Sequence, residues 1–265
     1  MTPAFGKLLQ VLRVFSTPSD WIRYYTLLGN PGSRGKDPVP IQVRALGGIP
    51  VFCRPGTSDA HVLWDTFHGL YHLPPVSLPE HSTILDLGCN VGYTMVHFAS
   101  LYPKARILGV EMDGENCRMA ERNTRPYADR CKVVHAAVWK SAGEISYEGV
   151  DPSAFRVVAG GGPDRKTAAA ITLGGIFEEF GLAHVDYLKM DIEGAETDVI
   201  GGGELWTERV SSMKVEVHEQ GDMERIRKTL ESKGFACRAD DRHWSCCVAV
   251  NVARGPGTEG PGSVR

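Results

Sequence analysis

Residues 84–93, "ILDLGCNVGY", place a strand-like apolar segment directly before a glycine turn. The first charged residue of this stretch is Asp86, and Gly88 and Gly92 follow it. A short apolar run bounded by glycine is typical of a buried strand that turns into the next element. The stretch therefore predicts the first strand of an α/β sheet. In such sheets, ligands bind at the carboxyl ends of the strands.

Beyond residue 83, short apolar runs alternate with segments of helical periodicity. The predicted strands are, in chain order, "TILDLG", "ARILGVEMD", "KVVHAAV", "VDYLKMDIEG", "MKVEVHE", "FACRAD" and "WSCCVAVNV". Alternation of strand and helix predicts parallel strands, right-handed crossovers and a doubly wound sheet. The last two runs have no helix between them, so we expect a terminal hairpin with one antiparallel strand.

The pattern divides the chain into three parts. Residues 1–80 are predicted to form an N-terminal cap of helices and a small hairpin, and residues 81–253 the α/β domain. Residues 254–265 are rich in glycine and proline, which predicts a disordered tail.

Within the cap, two short helices are expected before residue 30, with Asp20 as the N-cap of the second. A hairpin should follow, with Gly47 and Gly48 at its turn. A further helix is predicted within residues 57–73, where apolar residues recur with helical spacing.

The composition narrows the classes of function. Of 265 residues, 42% are hydrophobic and 23% are charged, which predicts a packed core. The net charge of −3 argues against a nucleic-acid partner. There is no apolar run of about 18 residues, so no membrane span is predicted. The seven cysteines form no C-x-x-C pair, which argues against a zinc site or a disulfide framework and favours the cytoplasm.

The glycine turn does not match the common phosphate-binding patterns. A dinucleotide fingerprint, G-x-G-x-x-G, would need glycine at residues 90 and 93, where this chain has Asn90 and Tyr93. The phosphate-loop pattern also fails, because no lysine follows the turn. A pyrophosphate ligand is therefore disfavoured.

Two carboxylates at adjacent strand ends favour a different ligand. Asp86 lies beside the turn, and Glu111 ends the next strand. Negative charge there attracts a cationic ligand. S-adenosylmethionine carries a sulfonium, an ammonium and a ribose diol. We expect Glu111 to bind the diol and Asp86 to support the ammonium, directly or through water, while the glycines let the cofactor lie against the backbone. Alternatively, Asp86 stabilises the turn and Glu111 is a solvated strand end.

The sequence resembles the FkbM family of class I S-adenosylmethionine-dependent methyltransferases. The resemblance covers roughly residues 50–220 and rests on "RPGTSDAHV", "ILDLGCNVGY", "GVEMD", "VDYLKMDIEGAE" and "KVEVHE". It implies a Rossmann-like methyltransferase fold with a seven-stranded, mostly parallel sheet. It also implies O-methylation of a secondary metabolite, a sugar or a lipid-linked glycan. Met112 stands where the family often has proline, and the glycine-rich residues 158–166 are an insertion, predicted to be a loop.

These arguments give two sets of binding residues. A cap segment that mixes charged and aromatic residues before the first core strand is predicted to face the acceptor through Arg54, Asp59 and Trp64. Cofactor binding is predicted for Asp86, Gly88, Asn90, Gly92, Tyr93, Glu111, Met112, Ala136, Ala137 and Asp191.

Proton removal from an alcohol acceptor requires a base near the ends of the fourth and fifth strands. His218 is predicted to be this base because its ordinary pKa is near neutral, and Glu216, on the same strand face, is predicted to orient its ring. In the rival assignment, Asp191 or Glu193 is the base. A metal-assisted variant would use Asp191, Glu193 and Glu219. We expect no metal, because no Asp-Asn or Asp-Asp pair occurs at the expected strand ends.

The main hypothesis is a cytoplasmic enzyme with S-adenosylmethionine as cofactor and a small-molecule alcohol as acceptor, either as a monomer or as a homodimer. An NAD-dependent oxidoreductase is one alternative, disfavoured by the missing glycines. A non-catalytic module that binds S-adenosylmethionine is the other.

Overall fold

A computed structural model describes residues 10–29, 37–149, 156–158, 165–202, 205–219 and 221–254. Its central sheet has seven strands: β3 (Thr83–Leu87), β4 (Arg106–Glu111), β5 (Cys131–His135), β10 (Val185–Met190), β11 (Val210–Glu216), β12 (Phe235–Ala239) and β13 (Cys246–Asn251). Their spatial order is β12-β13-β11-β10-β3-β4-β5.

The pairing within this sheet is mostly parallel. Strands β11, β10, β3, β4 and β5 are parallel neighbours, whereas β13 runs antiparallel to both β11 and β12. The predicted doubly wound sheet of seven strands with a terminal hairpin is therefore confirmed. The strand order reverses beside β3 and β10, so the carboxyl ends of these strands border a crevice where a ligand can bind.

Helices connect the strands. They are α3 (Tyr93–Leu101), α4 (Gly114–Thr124), α5 (Leu173–Glu179), α6 (Glu196–Ile200) and α7 (Asp222–Ser232). One apolar core packs the sheet against α5, α6 and α7, and a second packs it against α3 and α4. No helix in the described part of the chain is long and apolar enough to cross a bilayer.

The N-terminal segment packs on the sheet domain. It contains α1 (Pro18–Leu28), the antiparallel pair β1 (Val39–Gln42) and β2 (Pro50–Cys53), and α2 (Asp59–Trp64), which runs into a π-turn at Asp65–Gly69. The predicted hairpin is present, as are the second predicted helix and the helix predicted within residues 57–73, whereas the first predicted helix falls largely outside the described residues. Apolar residues of this segment share a buried cluster with α3 and α4.

The predicted N-cap of α1 is wrong. Thr17 caps the helix, because its hydroxyl accepts the Asp20 backbone N–H. Asp20 is instead buried in the first turn and accepts the backbone N–H of Gln42 at 3.1 Å, which fastens α1 to β1.

A second sheet was not predicted. It contains β6 (Ala137–Val138), β7 (Gly143–Glu148), β8 (Arg156–Val158) and β9 (Lys166–Ile171), in the order β6-β9-β7-β8. The edges of the predicted glycine-rich loop thus belong to strands, and its residues 159–164 lie outside the described residues. The predicted tail lies there too, beyond residue 254.

Two histidines are buried where the N-terminal segment meets α3. His72 Nε2 and His97 Nδ1 are 2.9 Å apart. Burial lowers the pKa of His97 to about 4, and it lowers the pKa of His72 well below the usual range. Both rings are therefore neutral in the folded protein at neutral pH.

This histidine pair predicts a loss of stability in mild acid. Above pH 6.5 the histidines are neutral in both states, but below it the unfolded chain binds protons that the folded pair resists. For His97 alone, the free energy of unfolding should fall by about 2 kcal/mol between pH 7 and pH 5. Urea titrations at both values should show a smaller fall in His97→Gln than in the wild type. The exposed His81→Gln variant is the control, and equal falls in His97→Gln and the wild type would refute the assignment.

Candidate active site

An open cavity lies at the carboxyl ends of β3, β4, β10 and β11. It joins these strand ends to the N-terminal segment and to the loop between β12 and β13. Its walls are Val62, Asp65, Tyr71, Gly88, Cys89, Asn90, Tyr93, Thr94, Val110, Glu111, Met112, Ala136, Ala137, Val138, Lys189, Asp191, Ile192, Glu193, Glu216, His218 and His243.

The glycine turn after β3 is shaped by close packing. Gly88 has φ of +75°, and a side chain there would overlap the backbone oxygen of Asp191. Gly92 has φ of +80°, and a Cβ atom there would lie 3.0 Å from the Cα of Ala120. Gly88 borders the cavity, whereas Gly92 does not. Close packing and positive φ therefore explain why glycine is required at both positions, independently of a cofactor.

Asp86 lies beneath the cavity and is not part of its wall. Its side chain is completely buried, accepts a hydrogen bond from the Thr94 hydroxyl and pairs with Lys189 at 3.3 Å. Lys189 also pairs with Asp191 at 3.1 Å, and it lines the cavity. Asp86 is therefore linked to the cavity through Lys189 and Thr94, both of which line it.

Glu111 lines the cavity at the end of β4 and is only 7% exposed, so it is not a solvated strand end. Its Oε2 accepts the backbone N–H of Asn90 at 2.9 Å, and its Oε1 accepts that of Asp113 at 2.8 Å. Burial raises the pKa of Glu111 to about 7, although these two hydrogen bonds oppose the shift. A hydrogen bond from the Asn116 side chain also stabilises the carboxylate. Of the roughly four acceptor positions of a carboxylate, one remains, so the group is oriented and can still accept from a ligand.

The wall beside Glu111 is mostly apolar. It contains Met112, Ala136 and Ala137, three of the residues predicted to bind the cofactor. His135, at the end of β5, is exposed, with Nε2 3.0 Å from the Met112 carbonyl oxygen.

At the opposite end of the cavity, three carboxylates surround His218. Its Nδ1 donates to Oε1 of Glu196 at 2.9 Å, and its Nε2 lies 3.6 Å from Asp191 and 3.5 Å from Glu193. Burial lowers the pKa of His218, but the Glu196 hydrogen bond and the neighbouring carboxylates outweigh burial and raise the pKa to about 9. The surroundings of His218 thus move its pKa well above the ordinary, near-neutral value on which the sequence argument was based.

Glu196 is the residue that the sequence interpretation missed. It is buried in the first turn of α6, and its carboxylate also accepts the backbone N–H groups of Ile192 and Gly194. It holds both the His218 ring and the turn after β10, which is the orienting role that was predicted for Glu216. The stretch "DIEGAE" could have indicated this role, because a glutamate in the first turn of a helix often accepts hydrogen bonds from the backbone N–H groups just before the helix.

Glu216 has different neighbours. It lines the cavity, accepts a hydrogen bond from the Ser245 hydroxyl at 3.4 Å and lies 3.9 Å from His243. Burial and the charge of Asp191 raise the pKa of Glu216 to about 7. Asp191 does not cap α6, whose N-cap is Ala195.

The end of the cavity at His218 also has the spacing of a metal-binding group. Ligand atoms of Asp191, Glu193 and His218 lie within 4.8 Å of one another. Asp191 is already paired with Lys189, which supplies one positive charge to the cluster.

The sequence profile of the Methyltransferase FkbM domain matches residues 86–237, which is more than half of the chain. The chain belongs to the FkbM methyltransferase family. It is 30% identical over 154 residues to the 2-O-methyltransferase NoeI of Sinorhizobium fredii, covering 50% of this chain and 62% of NoeI. The chain thus spans less than two thirds of that relative.

The chain is also similar to two further proteins that are named as methyltransferases. Methyltransferase sdnD of Sordaria araneosa is 26% identical over 206 residues, with 64% of this chain and 79% of sdnD covered. The crystal structure of an FkbM methyltransferase from Methylobacillus flagellatus superposes with a TM-score of 0.49 and 12% identity. That match covers 88% of this chain and 60% of the other.

The FkbM match begins at residue 86, so the N-terminal wall of the cavity lies outside it. The predicted acceptor residues do not contribute to that wall. Arg54 and Asp59 form an ion pair at 2.8 Å, and the Trp64 ring stacks on His68 at 4.4 Å. The described residues of this segment that line the cavity are Val62, Asp65 and Tyr71.

Proposed function

We propose that the protein is an S-adenosylmethionine-dependent O-methyltransferase that acts on a hydroxyl of a small molecule. The observation that carries this proposal is one continuous cavity with Glu111 at one end and His218, Asp191 and Glu193 at the other. The first end suits a nucleoside, and the second suits an alcohol that must lose a proton.

The chemistry of the walls fits the cofactor. The remaining acceptor position of the Glu111 carboxylate can take a hydrogen bond from a ribose hydroxyl, and the apolar surface of Met112, Ala136 and Ala137 suits an adenine ring. S-adenosylmethionine, when bound, supplies a methyl group on a cationic sulfur. The negative charge of Asp191 and Glu193 favours that cation.

The residues of this chain then position the acceptor and remove its proton. In its neutral form, His218 takes the proton at Nε2, while the Glu196 hydrogen bond at Nδ1 fixes the ring. Asp191 and Glu193 stabilise the imidazolium that forms. Bound positive charge opposes the raised pKa of His218 and so favours the neutral, basic form.

The alternatives receive less support. An NAD-dependent oxidoreductase would need to place a pyrophosphate near Asn90 and Tyr93, next to buried carboxylates. A non-catalytic binding module would not need a histidine held by a buried glutamate. The name of NoeI, a 2-O-methyltransferase, also favours oxygen as the acceptor atom.

We place the enzyme in the cytoplasm, where seven free cysteines are stable. A secondary metabolite, a sugar or a lipid-linked glycan is the proposed range of acceptors, without a metal. Incubating the purified protein with cofactor labelled at the methyl group and with alcohols of these three types tests the proposal. Transfer that survives EDTA supports it, whereas tight binding of NAD without binding of S-adenosylmethionine would refute it.

Replacing Glu111 by alanine should weaken the binding of S-adenosylhomocysteine by about 1.5–3 kcal/mol, because hydrogen bonds to a charged group are lost. In the wild type, affinity should rise between pH 6 and pH 8 as Glu111 ionises. Isothermal titration calorimetry measures both effects. Glu115→Ala, an exposed glutamate on α4, should bind like the wild type. Equal affinities in Glu111→Ala and the wild type would refute the ribose assignment.

A further inference from the structure

Tyr71 is held in place through its backbone and that of its neighbour. Lys214 Nζ donates to the Tyr71 carbonyl oxygen at 2.8 Å and pairs with Asp240 at 2.9 Å. The Tyr187 hydroxyl donates to the carbonyl oxygen of His72 at 2.7 Å. Lys214 is on β11 and Tyr187 is on β10, so the chain at residues 71 and 72 is fastened to the centre of the sheet by buried groups.

The turn before Tyr71 has uncommon backbone geometry. The π-turn at Asp65–Gly69 is followed by Leu70 with φ of +56°. π-turns occur frequently at functional sites, and a left-handed conformation in a residue other than glycine has an energetic cost. This geometry and the buried anchors together place the Tyr71 ring in the cavity wall.

The hydroxyl of Tyr71 is available to a ligand. It makes no hydrogen bond to any residue that the structure describes. Its ring lies 5.8 Å from Lys189 Nζ and 5.8 Å from the His243 ring. Burial raises the pKa of Tyr71 well above its usual value, so the phenol remains a neutral donor.

The charge of the surrounding wall is mainly negative. Above pH 7, where Glu111 and Glu216 are mostly ionised, five carboxylates among the described residues of the cavity face two cations, Lys189 and the protonated His218. The carboxylates are those of Asp65, Glu111, Asp191, Glu193 and Glu216. S-adenosylmethionine contributes one net positive charge, so the occupied site keeps an excess of negative charge. Such a site repels an anionic acceptor and attracts a cationic one.

We propose that Tyr71 donates a hydrogen bond to the methyl acceptor, and that the acidic wall around it selects an alcohol bearing a protonated amine over one bearing a negative charge. This inference rests on the proposed function, because it assigns the acceptor half of the same cavity. Tyr71 and Asp65 lie before the FkbM match, so the chain outside the match supplies part of this half, beside Asp191, Glu193 and His218 from within it.

The test uses three ring alcohols of similar shape: trans-2-aminocyclohexanol, trans-cyclohexane-1,2-diol and trans-2-hydroxycyclohexanecarboxylate. Saturation-transfer NMR titrations of the 265-residue protein at about pH 8, with and without S-adenosylhomocysteine, give the affinity of each probe. We expect the amino alcohol to bind best and the carboxylate worst. Tyr71→Phe should lower the affinity for the amino alcohol about three- to tenfold, which is the range for the loss of one neutral hydrogen bond. Asp65→Asn should reduce the difference in affinity between the amino alcohol and the diol, because it removes one negative charge from the wall.

Tyr25→Phe, at a half-exposed position on α1, is the matched control and should bind the probes like the wild type. Tighter binding of the carboxylate, no binding of any probe, or unchanged affinity in Tyr71→Phe would overturn the inference. The series without S-adenosylhomocysteine ranks the probes independently of the cofactor. A protein that ranks them as expected but does not bind S-adenosylhomocysteine would contradict the proposed function and leave this inference supported.

Discussion

Replacing His218 by alanine should lower the turnover of an alcohol acceptor about 100-fold or more, the usual contribution of a general base. Affinity for S-adenosylhomocysteine should change little, because His218 lies at the end of the cavity opposite Glu111. Wild-type turnover should rise with pH toward about 9, since only the neutral imidazole accepts a proton and the surrounding carboxylates raise its pKa. The variant should lose this rise. Single-turnover kinetics across pH 6–10 measure both effects.

Glu196→Gln sharpens this test. Glutamine retains an oxygen that can accept from His218 Nδ1 and from the turn, but it removes the negative charge. The pKa of His218 should therefore fall, and the rise in turnover should move to lower pH. His81→Ala, which removes a mostly exposed histidine, should behave like the wild type. If His218→Ala keeps the wild-type rate and pH profile, the base is Asp191 or Glu193, or positioning of the acceptor accounts for the rate.

The central sheet could be predicted because its signals are local. Alternating apolar runs and helical periods are recognised from neighbouring residues, and Gly88 indicates the turn after β3. The second sheet lacked such signals. Its strands β7 and β9 carry several exposed or polar positions, and no helix separates them from the preceding strand.

The contacts of the site depend on strand order, which the sequence does not display. Lys189 and Asp86 are direct partners in the register of β10 and β3, although 103 positions separate them. A lysine inside an apolar strand showed only that it must have a partner. That partner was identifiable only once β10 was placed beside β3.

The acceptor side was the least predictable part. Tyr71 occupied an apolar position in a helical pattern, and the chain leaves that helix through a π-turn before it reaches the residue. His243 comes from the loop between β12 and β13, far from the motifs in sequence. By contrast, Arg54 and Asp59 have the composition of a binding site but satisfy each other in a buried pair.

Lys189 lines the cavity and is also expected to stabilise the fold. Lys189→Met should lower the free energy of unfolding by about 3–5 kcal/mol, the usual cost of breaking a buried ion pair by removing one partner. The lysine is 3% exposed and is shared by Asp86 and Asp191, so its loss leaves Asp86 buried without a counter-charge. Urea denaturation at pH 7 measures the change. The surface pair offers a control, since Lys140→Met removes the partner of Asp198 and should cost less than about 1 kcal/mol.

A double-mutant cycle shows whether the cost arises from the uncompensated charge. Asp86→Asn in the Lys189→Met background should recover part of the lost stability, because a neutral amide can still accept from the Thr94 hydroxyl. The same substitution in the wild type should be destabilising, since it removes a partner from Lys189. If Lys189→Met costs less than about 1 kcal/mol, Asp86 is protonated in the variant, as burial already raises its pKa. In that case stability should fall as the pH rises, because the unfolded aspartic acid ionises readily while the buried one does not.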